Sequence, residues 1–260
     1  MHDGAHMEIE ARLALVGEQD RELFAQIRAS EEVAGLRHGS FVVLDLSDMY
    51  FDGALAPLAA MDCALRLRRQ TRAGEERLQL AFKGPAQSGD SHCVARFELE
   101  AAWSTDFLGE VLAELRERGL NLGEQPASGS ALECLRKLGL TPVQERNTRR
   151  EAATLFNASG DVAELTLDQV SYSLPEQRVL HREIEIEARE GTTAAEILAL
   201  AQVLEADAEG ELLPWRWSKT ALGRALEEVQ AEGVLSSLVE GERLTRSGYQ
   251  HLAEHLKRPR

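Results

Sequence analysis

Along much of this chain apolar and charged residues alternate one by one. Residues 7–16 read M-E-I-E-A-R-L-A-L-V, which puts Glu8, Glu10 and Arg12 on one face and Ile9, Ala11 and Leu13 on the other. That period of two is the mark of a β-strand. The same pattern predicts strands over 39–52, 65–68, 78–83, 92–101, 142–156, 162–172 and 179–190, with Gly84-Pro85 closing the fourth. Asn157-Ala158-Ser159-Gly160-Asp161 supplies turn chemistry for a hairpin between the sixth and seventh predicted strands. Helical spacing appears at 18–29 and over 104–139, where Phe107, Val111, Leu112 and Leu115 form one stripe and Leu132, Leu135 and Leu138 another. It returns from 192 onward, first as an amphipathic helix over 192–204. A helix over 218–233, two short strands around Glu240-Gly241-Glu242 and a last helix then complete the chain.

Eight strands with a charged face and an aliphatic face admit two arrangements. An ordinary amphipathic sheet turns its charges to water. An inverted barrel turns its aliphatic faces outward under helices and its charges inward. The second is favoured because the polar positions are Glu, Asp, Arg and Lys rather than the Thr, Ser and Gln usual on solvated strands. The predicted fold is therefore α+β, an eight-stranded antiparallel β-barrel with surrounding helices. Residues 1–191 form the barrel domain, and residues 192–260 a C-terminal helical extension packed on it. An eight-stranded barrel has room inside for side chains or one small ligand.

Net charge narrows the classes of partner. Forty-four acidic against 29 basic residues give −15, which argues against nucleic acid or an anionic membrane on the outer surface. No apolar run approaches the roughly 20 residues of a membrane span, and no basic-then-apolar signal segment opens the chain. The odd set Cys63, Cys93 and Cys134 contains no C-x-x-C and reads as small core residues. The expected location is cytoplasmic. Residues 1–6 show no periodicity.

The charges that would point inward carry both signs. The acids are Glu8, Glu10, Glu98, Glu100, Glu164, Asp168, Glu183, Glu185 and Glu187. The bases are Arg12, Arg66, Arg68, Lys83, Arg96 and one or two of Arg146, Arg149 and Arg150. Clustered carboxylates suit the hard cations Mg2+ or Mn2+, and guanidinium forks suit phosphate oxygens. A site holding both fits a polyanion bound with its metal, that is, a triphosphate-containing small molecule.

The motifs E-I-E-A-R, Y-F-D-G, A-L-R-L-R, F-K-G-P, R-F-E-L-E and E-I-E-I-E occur in that order between residue 7 and about 191. This ordered set resembles the CYTH superfamily, the triphosphate tunnel metalloenzymes, whose fold is an eight-stranded antiparallel barrel forming a tunnel. Ser218-Lys219-Thr220-Ala221-Leu222-Gly223 is also similar to the Ser-Lys…Gly element of bacterial inorganic triphosphatase-like members.

By that resemblance Glu8 and Glu10 match the acids of an E-x-E-x-K signature and would ligate metal, while Arg12 stands where the signature has lysine. Arg66, Arg68 and Lys83 match the triphosphate-holding bases, with Arg96 beside them and Arg150 the best match for the basic residue of the sixth strand. Asp168 and the alternating Glu183, Glu185 and Glu187 match the acids of the last two strands. Spacing does not choose among those three glutamates; Glu185 and Glu187 are taken with Asp168 as the metal candidates. Glu8, Glu10, Arg12 and Lys83 are the catalytic candidates. The resemblance implies Mg2+- or Mn2+-dependent hydrolysis of a triphosphate, foremost inorganic triphosphate to pyrophosphate and phosphate. The alternatives are a class IV-like adenylyl cyclase, a nucleoside or thiamine triphosphatase, and a non-catalytic polyphosphate or nucleotide binder. The tail reads as a structural appendix or homodimer contact rather than a nucleic-acid module. His251 and His255 on its last helix are expected on a solvated face, and Trp215 in buried packing.

Overall fold

The computed structural model describes residues 5–17, 20–87 and 93–258. Residues 1–4, the start of the helix predicted from 18, and His92 of the fifth predicted strand lie outside them. The chain opens with β1 (Ala5–Leu15), α1 (Asp20–Ala29), a small hairpin of β2 (Glu32–Val33) and β3 (Leu36–His38), and β4 (Val42–Asp52). Then come α2 (Pro57–Ala60), β5 (Ala64–Arg72), β6 (Glu75–Gln87), β7 (Cys93–Ala102), α3 (Thr105–Glu117) and α4 (Ala131–Lys137). The long strands β8 (Thr141–Asn157), β9 (Gly160–Ser173) and β10 (Arg178–Ala188) follow. The remainder is α5 (Ala194–Asp207), β11 (Leu212–Pro214), α6 (Lys219–Ala231), β12 (Val239–Glu240), β13 (Arg243–Leu244) and α7 (Arg246–Lys257).

Eight long strands hydrogen-bond in the order β1-β7-β6-β5-β4-β8-β9-β10, and β10 pairs back with β1. The fold is the expected closed antiparallel barrel of an α+β protein. The β8–β9 hairpin turns where the sequence predicts. Asn157 pairs with Gly160, the Asn157 Oδ1 accepts from the Ser159 N–H at 2.7 Å, and Gly160 adopts φ 134°, a conformation glycine takes without strain.

Two compact units make up the chain. In the first, which covers residues 1–8, 45–88 and 95–145, the aliphatic faces of β5, β6 and β7 are buried under α3 and α4. Leu65, Leu67, Leu80, Phe82 and Leu99 meet Phe107, Val111, Leu112, Leu115 and Leu135 there, the helical stripes seen in the sequence. Ser104 caps α3 by accepting from the Phe107 N–H at 3.0 Å, and Ser130 with Glu133 forms a capping box on α4. Asp52 accepts from the backbone N–H groups of Gly53, Leu58 and Ala59, so its carboxylate organises the turn into α2. Cys63 and Cys134 are buried.

The second unit covers 9–44, 89–94 and 146–260 and holds two apolar clusters. Ala11, Leu13, Leu155, Leu165, Leu167, Ile184 and Ile186 pack with Ile197, Ala201 and Leu204 of α5 and with Phe24 and Ile27 of α1. The other cluster joins Ala14, Val170, Tyr172 and Val179 to Trp215, Leu222, Leu226, Tyr249 and Leu252 of the C-terminal segments. Trp215 is fully buried, as its aromatic bulk implies.

Two expectations need correction, and three short strands are added. The fourth strand does not stop at Gly84-Pro85. β6 continues to Gln87, and its register against β7 shifts between Lys83 and Ala86, so a bulge absorbs the proline that cannot donate to the ladder. The β2–β3 hairpin is additional, as is β11, which pairs with β1 through Leu13–Pro214, Ala14–Leu213 and Leu15–Leu212. His255 is buried against α6 rather than solvated, its Nε2 lying 2.6 Å from Glu228 Oε2. Among the described residues no helix is long and apolar enough to cross a membrane.

Candidate active site

Strand parity decides which charges gather. Among the described residues, the buried ionisable set holds seven carboxylates against six lysines and arginines. The excess negative charge of the chain therefore lies outside this buried set.

In the first unit three adjacent strands bring their charged faces together. Lys83 on β6 lies directly opposite Glu98 on β7, and its Nζ is 3.1 Å from Glu98 Oε2 and 2.6 Å from Glu8 Oε1. Arg96 Nε approaches the other oxygen of Glu8 at 3.7 Å. In the next row Arg66 faces Ala81, which in turn faces Glu100. Ala81 is too small to intervene, so the Arg66 guanidinium reaches across β6 to the Glu100 carboxylate and stands 3.9 Å from Glu98. Arg68 is held by its cross-strand neighbour Asp48 through a two-pronged pair at 2.6 and 2.8 Å, the strong geometry for a guanidinium.

These contacts set the local charge states. Burial pushes the Glu98 carboxyl up to about 7, with Lys83 pulling against it and Glu8 adding to the rise. Burial also disfavours the charged form of Glu100, but the Arg66, Arg68 and Lys83 cations outweigh it and hold that carboxyl below its ordinary value.

A denser network occupies the second unit. On β8 the inward residues are Arg146, Thr148 and Arg150, all on one parity, while Arg149 is exposed. Arg150 faces Asp168 on β9 and binds it in fork geometry, Nε to Oδ1 at 2.8 Å and Nη2 to Oδ2 at 2.6 Å. The same Nη2 donates to Glu185 Oε2 on β10 at 2.6 Å. Asp168 also lies across from Glu183. Lys219, at the start of α6, reaches all three carboxylates: 3.0 Å to Asp168 Oδ2, 2.6 Å to Glu185 Oε1, and a close contact with Glu183. Burial raises the Asp168 carboxyl, but Arg150 and Lys219 outweigh it, so the group sits below its usual value. Glu185, likewise opposed by burial, is driven well below by Lys219, Arg150 and Arg12.

Arg12 anchors the other side of this network. It pairs with Glu10, lies 3.3 Å from Glu185 Oε1, and donates to the Arg216 carbonyl at 3.3 Å. Lysine has one ammonium and cannot span that fork and that carbonyl together. Arg12→Lys is expected to lower stability by about 1–3 kcal/mol, read as a reduced midpoint in urea unfolding at pH 7. An unchanged midpoint would remove the anchoring role.

The sequence pattern did not reveal Lys219 as a partner of these acids, nor His181. His181 shares the parity of Glu183 and Glu185, which is the signal that was available. Its Nε2 lies 2.7 Å from Glu183 Oε2 and its Nδ1 2.7 Å from Tyr249 Oη. In the neutral imidazole with Nε2 protonated, Nε2–H donates to the carboxylate and Nδ1 accepts from the tyrosine hydroxyl.

Asp168, Glu183 and Glu185 each offer an oxygen, and those oxygens lie within 4.8 Å of one another. Glu187, on the same face, falls outside this group. Thr166, directly opposite Glu185, and Thr148 each bury a hydroxyl oxygen without a hydrogen-bond partner. Three hard oxygen donors with unmet hydroxyls alongside fit a hydrated Mg2+ or Mn2+ ion.

The chain is similar in fold to three solved structures. One is an adenylyl cyclase candidate from Hippeastrum described as having a dominant triphosphatase activity, with 20% identity, TM-score 0.54, and 84% of this chain and 95% of that one covered. The second is the PH1819 protein of Pyrococcus horikoshii, at 19% identity and TM-score 0.52, covering 86% and 99%. The third, an adenylate cyclase candidate from Bacillus halodurans, gives 21% identity and TM-score 0.50 over 83% and 96%. Comparison with curated proteins returns no match. The CYTH domain model matches residues 6–210, most of the chain and all eight barrel strands, so the protein belongs to the CYTH domain family.

Proposed function

We propose that this protein is a metal-dependent triphosphatase whose substrate is inorganic triphosphate, cleaved to pyrophosphate and phosphate. The observation that carries the reading is the buried, two-signed charge on the strand faces, at positions that resemble the family motifs in the sequence. A neutral substrate gives no reason to hold Lys83, Arg66 and Arg150 among carboxylates at such desolvation cost. A short polyanion with its counter-cation does.

In this reading Arg66, Arg68, Lys83 and Arg96 of the first unit neutralise and position phosphates, the main requirement of phosphoryl transfer; Arg150, in the second unit, is the basic residue that the resemblance assigns to the sixth predicted strand. Asp168, Glu183 and Glu185 would hold a divalent ion, with Glu187 further along β10; Glu8 and Glu10 are the acids of the E-x-E motif. When bound, that ion supplies charge neutralisation on phosphate oxygens and a water of lowered pKa. Arg12 keeps Glu10 and Glu185 in place. His181 orients Glu183.

Phosphate release from triphosphate, ATP and thiamine triphosphate, each with Mg2+ and with Mn2+, tests the assignment. The expected result is fastest release from inorganic triphosphate, with one pyrophosphate per phosphate. Cyclic AMP and pyrophosphate from ATP would reassign the site to cyclisation. No product from any substrate would sink the enzyme reading.

A further inference from the structure

The side chain of Lys219 stands where a metal ion would stand. Its Nζ touches Asp168, Glu183 and Glu185 at once, and the oxygens these residues offer lie within 4.8 Å of one another. A divalent ion ligated by the same three oxygens, at roughly 2.0–2.6 Å from each, falls inside the same small triangle. Ammonium and ion cannot both occupy it, because they would be like charges in contact.

The charge balance points the same way. Three carboxylates already face Lys219 and Arg150, with Arg12 near Glu185. A further double positive charge is accommodated only if one resident cation withdraws. Arg150 is forked onto Asp168 and bonded to Glu185 by a planar group that cannot leave one partner without the other. Lys219 is the movable one. Its backbone is fixed, since its carbonyl accepts from the Tyr172 hydroxyl at 2.8 Å and Ser218 caps the helix by accepting from the Ala221 N–H. Its side chain is a flexible four-carbon stem ending in a point charge.

We propose that Lys219 is a resident cation that competes with the divalent metal for the Asp168–Glu183–Glu185 site, so that metal loading requires its ammonium to swing away. Lys219 thereby sets the metal concentration at which the site fills. The inference rests on these carboxylates being a metal site, and it is independent of which triphosphate is cleaved.

Mn2+ binding to the full-length protein, read as loss of the free-ion signal in electron paramagnetic resonance without any substrate, tests it directly. Lys219→Gln is expected to bind Mn2+ at least tenfold more tightly than the unaltered protein, and Lys219→Arg no more tightly. A folded Lys219→Gln variant, verified by circular dichroism, whose affinity is unchanged or weaker overturns the proposal. The unaltered protein provides a second readout that survives any folding defect. The chain has four lysines, Lys83, Lys137, Lys219 and Lys257, and Lys137 and Lys257 are exposed on helices. In nitrogen-15 spectra of the lysine ammonium groups, Mg2+ is expected to move the Lys219 signal and leave those of Lys137 and Lys257 in place. An unmoved Lys219 signal at saturating Mg2+ overturns the proposal. Failure of the triphosphatase reading looks different: metal binds, with the Lys219 response intact, and no phosphate is released.

Discussion

Arg150→Met is expected to unfold at a temperature lower by on the order of 10 °C, reflecting a loss of about 3–5 kcal/mol. The side chain it replaces binds both oxygens of Asp168 and one oxygen of Glu185. Asp168 has no solvent exposure, so it cannot recover its hydration when the guanidinium is removed. Methionine keeps the length of the stem, which separates the electrostatic loss from a cavity effect. The dependence on acidity gives a second check. Asp168 and Glu185 are acids held below their ordinary values against the opposing effect of burial, Asp168 by Arg150 and then Lys219, Glu185 by Lys219, Arg150 and Arg12. Their contribution to stability is therefore present above the unfolded carboxyl range near about 4 and is lost as pH falls through and below it. Removing Arg150 shrinks that contribution at neutral pH. The gap between variant and unaltered protein should close as pH drops from 7 toward 3, measured by thermal unfolding in a buffer series. A gap that stays constant across that range would show that Arg150 acts through packing.

Lys83→Ala is expected to lower kcat/KM for inorganic triphosphate by about 10²–10³-fold. Among the inward-facing cations named in its unit, Lys83 is the most accessible to a ligand, ahead of Arg96 at 12% exposure. Its side chain is 18% exposed, against 7% for Arg66 and 10% for Arg68. Arg68 is also committed to Asp48 by a forked pair, whereas Lys83 sits between Glu8 and Glu98 as a point charge on a flexible stem. Loss of a partly exposed ammonium should cost far less stability than loss of Arg150. The signature is thus a large kinetic defect with a melting temperature shifted by a few degrees at most. A kinetic loss below tenfold in a well-folded variant would remove Lys83 from the machinery.

The barrel strands were legible in the sequence because period two is a local property. E-I-E-A-R or R-F-E-L-E declares its faces within five residues, whatever it later pairs with. The charge clusters were legible to the same extent, since parity says which side chains share a face. Partnership across strands was not. Asp48 and Arg68 each sit at polar positions of their strands, but the register that makes them neighbours belongs to the assembled sheet. Gly84-Pro85 has the chemistry of a stop, yet a bulge between Lys83 and Ala86 lets β6 pass through it. The short β2, β3 and β11 have too few residues to show a period at all. The place of Lys219 was not legible, because a residue opening a helix carries no sign of the sheet it will reach. Its membership in the acidic cluster depends on the Tyr172 hydroxyl and the packing of Trp215, Leu222 and Tyr249, which hold that helix end in position.

β11 has a bearing on how far the structural support of the barrel reaches beyond the family pattern. The stretch that identifies the family closes at residue 210. Two residues later the chain adds a strand to β1, and at 219 it delivers a lysine into the midst of three carboxylates. What is inherited as a recognisable pattern and what folds as a neutralised body thus have different last residues. Sequences sharing the first can diverge in the second, and a change confined to the unrecognised tail can alter the chemistry of the recognised barrel without touching one of its strands.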